Sequence, residues 1–442
     1  MKKDITSKFN FISLIQYTLP TMMMMLFFSA YQMVDGAFVS TFVSTDALSA
    51  INILYPLINL IIAIAIMFAT GGSAFIAKRL GEKQDQDAKE KFSLFIACGF
   101  SIGLLLIIIL YPHLESLMIL LGATHRMLDY AVDYMHVILL FAPFMIIQMI
   151  YQYFFVTAGK PRLGLYLTLL GGVINIALDY HFVVNLDLGM FGAALASGLG
   201  YLIPSCIGTM YFMVNRSNLL YFTRFHFDFK AIMQACSNGS SEMVSNLSIA
   251  LITLLYNLTM LRLLQDDGVA VITVILYVQF FLNALFVGFS MGVAPIISYN
   301  FGAENYKDLH RYFKYSLMFV LLISTLACFV CIFFKEGLIQ IFATKGSHVF
   351  EIAASGFDIF SISFLFSGVN IFTCALFTAY SNGKVSALLS FMRTFLFIGL
   401  GLVIFPLFWH VNGAWFSIVF AEAASLIMSI IFLCLYKTSY HL

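Results

Sequence analysis

Long apolar runs, almost free of charge, limit what this chain can become more than any other feature. Residues 92–111, 249–264 and 395–409 are such runs, and several approach the ~20 residues that a helix needs to cross ~30 Å of hydrocarbon. Over the whole chain 61% of residues are apolar and only 10% are charged, where soluble domains carry roughly 45–50% and about 25%. A water-soluble domain of this composition would precipitate, so the membrane is the solvent and the expected fold is all-α and integral to it. The net charge of +1 points to no nucleic acid and no anionic partner. No small-residue cleavage site follows a short apolar core near the N-terminus, so the first span is expected to persist. The seven cysteines have no neighbouring His at a metal-binding spacing and read as small apolar fillers.

Apolar runs between polar breaks mark spans at 11–43, 47–77, 92–111, 130–158, 163–185 and 191–214, then at 231–263, 269–300, 311–333, 350–380, 384–408 and 412–437. Twelve transmembrane helices result, with the most polar connector, 215–230, between the sixth and the seventh. The chain accordingly divides into an N-lobe (1–214), a cytoplasmic linker (215–230) and a C-lobe (231–442). Lys and Arg accumulate on the cytoplasmic side of a bilayer. With the N-terminus inside, eighteen of them fall in inner segments and four outside (Arg126, Arg262, Lys335 and Lys345), while Arg393 alone lies within a span. The expected location is the cell (plasma) membrane, multi-pass, with both termini cytoplasmic.

The two halves are related in sequence. GGSAFIAKRLGEKQDQDAKEKF at 71–92 aligns with GVAPIISYNFGAENYKDLHRYF at 292–313, an offset of 221 that pairs Gly81 with Gly302 and Phe92 with Phe313. Gly159-Lys160 recurs as Gly383-Lys384, and Gly192-Ala193 as Gly413-Ala414. Three matched positions in order indicate a duplication. Because each half holds an even number of spans, both enter from the same side. The two six-helix lobes are then expected to be related by a pseudo-two-fold axis along the membrane normal, with a central cavity between them.

A carboxylate inside a span costs about 2.5–3.5 kcal/mol on insertion scales, so each one demands a partner or a role. Asp179 follows Asn175 by one helical turn and shares its face. At ~1.5 Å per residue, Asp179 lies ~24 Å from the inner end of its span, Asp35 deeper still, and Ser197 ~10 Å from the outer end. Asp35, Asn175, Asp179 and Ser197 can therefore meet at one depth of the first lobe. Such a cluster suits a proton, or a hard cation such as Na+ bound by Asp, Asn and Ser oxygens. Placement at helix ends facing the outer headgroups is the bland alternative. Pro20, 15 residues before Asp35, removes a backbone hydrogen bond and can kink the first span, which makes it a candidate hinge. In the second lobe Glu242, Asn246, Gln279, Asn283 and Asn370 fall near mid-membrane, fit for a cationic or hydrogen-bonding substrate. Interhelical hydrogen bonds worth ~0.6 kcal/mol, which only hold the bundle together, compete for the same residues. The 22 Met and 48 Phe suit a soft cavity for varied ligands, although packing accounts for most of them.

Taken together, these residues resemble the multidrug and toxic compound extrusion (MATE) family, in particular its Gram-positive bacterial branch. The resemblance covers essentially the whole chain. It rests on the six-plus-six repeat, VDGAFVS at 34–40, the Gly-containing loops after the second and eighth spans, NIALD at 175–179 and NGSSEMVSNLS at 238–248. It implies a rocker-switch antiporter in which inward flow of H+ or Na+ expels small amphipathic or cationic molecules. In the family's pattern Asp35, Asn175, Asp179 and Ser197 match the N-lobe cation and proton network, Pro20 the kink proline, and Glu242 an acidic residue of the seventh helix. Asn370 stands where some sodium-coupled members carry an acid, which counts against a second sodium site. The resemblance further implies no enzyme activity, no cofactor beyond the coupling ion, a lipid bilayer and small molecules as partners, and a monomer. A lipid-linked oligosaccharide flippase of the same superfamily is the nearest alternative. Those cavities carry several arginines for pyrophosphate, and here only Arg393 lies in a span. An intramembrane transferase would want a DDxxD-like Mg²⁺ cluster or a loop rich in catalytic His and Asp, and the sequence offers neither.

Overall fold

The computed structural model describes residues 4–43 and 45–440, apart from the side chains of residues 35–37, 39, 40, 45, 46, 48, 49, 52, 125 and 266. Every regular element among the described residues is helical, because a helix satisfies its own backbone groups where no water reaches them. In chain order the α-helices are α1 (Phe11–Phe42), α2 (Thr45–Gly81), α3 (Asp85–Leu110), α4 (Leu114–Leu120), α5 (His125–Leu140), α6 (Ala142–Thr157), α7 (Pro161–Asp179) and α8 (Gly189–Val214). There follow α9 (Phe229–Gly302), α10 (Tyr306–Phe333), α11 (Lys335–Gln340), α12 (His348–Phe360), α13 (Phe364–Ala379), α14 (Gly383–Phe391) and α15 (Phe397–Tyr440). Among the described residues ten helical stretches are long and apolar enough to cross a membrane, or eleven when the bent pair α5–α6 counts as one span.

Departures from straight helices have local causes. The run at 130–158 is two helices, α5 and α6, meeting at 58°. Pro143 sits in the first turn of α6, where its missing N–H breaks no bond of its own helix but cannot continue α5. The run at 92–111 begins earlier than its apolar stretch, since Asp85 and Asp87 favour the positive end of the helix dipole of α3. α9 and α15 hold 74 and 44 residues, which would reach ~110 Å and ~66 Å if straight. Both fold back instead. Gln265 takes φ 56° and ψ −140°, and Gly268 comes so near Met260 that a Cβ on it would fall 2.4 Å from that carbonyl oxygen. Eight residues along a straight helix stand ~12 Å apart, so the chain reverses here. Trp409 and His410 leave helical geometry within α15, and Gly413 then lies against Phe405 in the same manner.

One apolar cluster runs through α1 to α8 and takes in Phe289, Ile297, Tyr312 and Phe372 from later helices; another gathers Tyr256, Ile275, Phe357 and Trp415. α2 and α9 meet backbone to backbone near their Gly81 and Gly302 ends. A Cβ on Gly81 would lie 2.0 Å from the Tyr299 oxygen, and one on Gly302 would lie 2.2 Å from the Lys78 oxygen. The connector before α9 is pinned to α3. Leu220 is buried, Thr223 N donates to Ser93 Oγ at 3.0 Å and Lys91 Nζ donates to Asp228 Oδ2 at 2.7 Å. Asp228 Oδ1 caps α9 by accepting from Ala231 N at 3.0 Å. The hydrogen bond from Lys91 holds the Asp228 carboxyl below the usual carboxylate range, with help from the Ala231 amide.

Candidate functional site

Small residues set the spacing of the first polar cluster. A Cβ on Gly171 of α7 would fall 2.6 Å from the Gly200 oxygen of α8, so only glycine lets the two backbones come this close. Four residues on from Gly171, Asn175 Nδ2 donates to Ser197 Oγ at 3.1 Å. Asn175 is 3% exposed and Asp179, one turn further along α7, is 1% exposed. Directly after Asp179 the helix widens into a π turn, Tyr180–Asn185, a distortion frequent at functional sites.

A cavity opens beside this pair, lined by Phe28 and Tyr31 of α1, Gln148 of α6, Thr168 of α7, Tyr201 of α8 and Asn175 itself. Its volume open to the centre of a water molecule is about 10 Å³, room for roughly one water. Thr168 Oγ1 and Asn175 Oδ1 are buried without a hydrogen-bond partner among the described residues. A buried polar atom left so costs about 1–3 kcal/mol, which favours a polar or charged occupant over an empty or apolar one.

The structure thus places Asn175, Asp179 and Ser197 on two packed helices. Asp35 belongs to α1, but its side chain lies outside the described residues. Pro20 is buried within α1, which runs unbroken from Phe11 to Phe42. It cannot donate to the carbonyl of Gln16, so α1 lacks one internal bond at that level.

The second polar set separates into pieces. Asn246 Nδ2 donates to the backbone oxygen of Glu242 at 2.9 Å, within the outgoing half of α9. Gln279 and Asn283 stand on the returning half, where Asn283 Oδ1 is buried without a partner among the described residues. Asn370 of α13, 1% exposed, keeps other company. Its Nδ2 donates to Glu422 Oε2 at 2.7 Å and to the Glu422 backbone oxygen at 2.9 Å. Its Oδ1 accepts from Ser429 Oγ at 3.1 Å. Arg393 Nη1 completes the network by donating to Glu422 Oε1 at 3.2 Å, from a second π turn, Met392–Leu396. Glu422 is absent from the sequence expectations, although it is the one acidic residue in 412–437. The insertion penalty that singles out Asp35 and Asp179 applies to it equally.

Among the described residues no group of three or more His, Cys, Asp or Glu is placed to hold a metal ion. The Cys328-x-x-Cys331 spacing on α10 belongs to the protein interior, where both are free thiols in the second apolar cluster.

Buried polar clusters inside a bundle of membrane-crossing helices are the build of a membrane transport protein. A sequence profile of the MatE family matches this chain twice, over residues 20–181 and 243–403. The chain belongs to the MatE family of multi-pass membrane transporters, and its work is transport rather than catalysis. Similar curated proteins include the multidrug export protein MepA of Staphylococcus haemolyticus, 24% identical over 419 residues, with 93% of this chain and 90% of MepA covered. MepA of Staphylococcus saprophyticus is 24% identical over 420 residues, covering 91% of this chain and 87% of the relative. Among solved structures, MATE in complex with MaL6 superimposes with a TM-score of 0.93 at 20% identity, covering 100% of this chain and 98% of the other. An outward-facing MATE family multidrug resistance transporter of the MOP superfamily gives 0.91 at 21% identity, with 100% and 97% covered.

Proposed function

We propose that this protein is a cation-coupled antiporter, driven by H+ or Na+, that exports small amphipathic or cationic compounds by rocker-switch alternating access. The observation that carries the proposal is the Asn175–Ser197 hydrogen bond beside the buried Asp179, next to a cavity the size of one water. The curated relatives bearing the name multidrug export protein support the substrate class. On this reading Asp35, Asn175, Asp179 and Ser197 take the coupling ion and Pro20 serves as hinge. Glu242, Asn246, Gln279, Asn283 and Asn370 meet the substrate. Cation and drug must prefer different states, since a ligand of equal affinity for both shifts nothing.

The architecture goes with that reading. Counting α9 and α15 as two spans each, α5–α6, α12–α13 and α14 with the first part of α15 as one each, gives twelve. The double match of the family profile, 20–181 and 243–403, supports two lobes, 1–214 and 231–442, joined by 215–230. Lys and Arg placement supports cytoplasmic termini, and the unit of function is the monomer. Arg393 is engaged by Glu422, which speaks against a flippase needing free arginines for pyrophosphate.

The test is ethidium efflux from everted vesicles bearing wild type, Asp35→Asn or Asp179→Asn, with proton and sodium gradients collapsed separately. One gradient and both carboxylates should prove necessary. Export that survives both substitutions removes the first-lobe site, and a correctly inserted wild type that moves no dye removes the multidrug reading.

A further inference from the structure

The two halves treat one place differently. The repeat that pairs Gly192 with Gly413 also pairs Tyr201 with Glu422, and the one that pairs Gly159 with Gly383 sets Arg393 opposite Leu169, next to Thr168. Tyr201 and Thr168 line the one-water cavity of the first half. In the second half the counterpart of Tyr201 is Glu422, and Arg393, one residue on from the counterpart of Thr168, is ion-paired with it.

The Glu422 carboxylate of that pair is engaged at both oxygens, while Arg393 Nε is buried without a hydrogen-bond partner among the described residues. Side-chain exposure is 13% for Arg393 and 4% for Glu422. One Glu422 oxygen accepts from the guanidinium and the other from Asn370, itself fixed by Ser429. A buried carboxylate held this way has its positive charge supplied from within the chain. The guanidinium, always charged and planar, is the side chain best suited to do so permanently.

We propose that Arg393 is a built-in cation, standing in the second half where the first half leaves room for a mobile one, so that only the first half exchanges a coupling ion. The proposal rests on reading the Asn175–Asp179–Ser197 cluster as the ion site. It has a second consequence. Arg393 commits to Glu422 and forms no ion pair with Glu242 among the described residues, which leaves the Glu242 carboxyl for a cationic visitor.

The experiment is thermal unfolding of the purified protein in detergent, titrated with millimolar guanidinium chloride against sodium chloride. Arg393→Ala should show a saturable rise in melting temperature with guanidinium alone, while wild type and Arg393→Ala/Glu422→Gln show none. In proteoliposomes the double variant should keep the wild-type dependence of efflux on the driving cation, and Arg393→Ala should gain a second cation-dependent component. If Arg393→Ala fails to accumulate, recovery of folded protein by adding Glu422→Gln supports the proposal and no recovery overturns it. Absence of a guanidinium response, or altered cation dependence in the folded double variant, also overturns it. Failure of the antiporter reading would show separately, as a wild type without efflux, and leaves the unfolding result standing.

Discussion

Asn175 reaches from α7 to Ser197 of α8 with one hydrogen bond of 3.1 Å, and its other polar atom, Oδ1, is buried with no partner among the described residues. The amide is half engaged, oriented by the serine and open on the side that can serve a cation. Ser197→Ala should therefore leave stability almost unchanged, because interhelical hydrogen bonds in membranes average ~0.6 kcal/mol. The driving-cation concentration for half-maximal efflux should nevertheless rise several-fold with the maximal rate retained. An unchanged concentration would take Ser197 out of the site.

Gly171 places those two side chains. With only 2.6 Å between a Cβ there and the Gly200 oxygen, any side chain forces the helices apart, and overpacking of this kind costs about 1–3 kcal/mol. Gly171→Leu should lower the yield of monodisperse protein in size-exclusion chromatography more than Gly171→Ala does. In whatever folds, cation dependence should weaken together with the yield.

Acid sensitivity should appear at the connector. Lys91 keeps the Asp228 carboxyl below its usual range in the folded protein, so the folded state binds this proton less readily than the unfolded one. The stabilisation is complete above the ordinary carboxylate value of about 3.9 and disappears as pH falls through the lower folded value. With the Asp228 side chain 37% exposed, solvent screens the effect and the gain is modest. Melting temperatures of wild type and Asp228→Asn should differ slightly at neutral pH and converge well below pH 4. A gap that persists in acid would assign the effect to the α9 cap instead.

Span positions were readable because an apolar run reports depth. The stretch at 11–43 becomes α1 at Phe11–Phe42 and the one at 311–333 lies within α10. Depth says nothing of azimuth, which is why Asn370 could be grouped by level with Gln279 and Asn283 yet is bonded to Glu422 and Ser429. For Asn175 and Asp179 the helical period supplied the azimuth, since both project from one face of one helix. The π turns after Asp179 and around Arg393 left no mark in composition. The Arg393–Glu422 pair needed only the rule already applied to Asp35, extended to every charged residue in a span.

Gly302→Val should prevent the meeting of α2 and α9 at that end, because the Lys78 oxygen already lies 2.2 Å from where a Cβ would go. An introduced Tyr299→Cys should then react faster with a membrane-impermeant maleimide in the Gly302→Val background than alone. Equal rates would show that the helices close without the glycine.

The same contact governs how tightly one face of the protein can be shut. Where Gly81 and Gly302 let peptide group meet peptide group, no side chain stands between the helices to swing aside or change rotamer. Such a seam is either made or parted, with no gradual range between. On the antiporter reading proposed above, such a seam would prevent slippage: a coupling ion would find no half-open seam to leak through, and its gradient would run down only when the whole face opens.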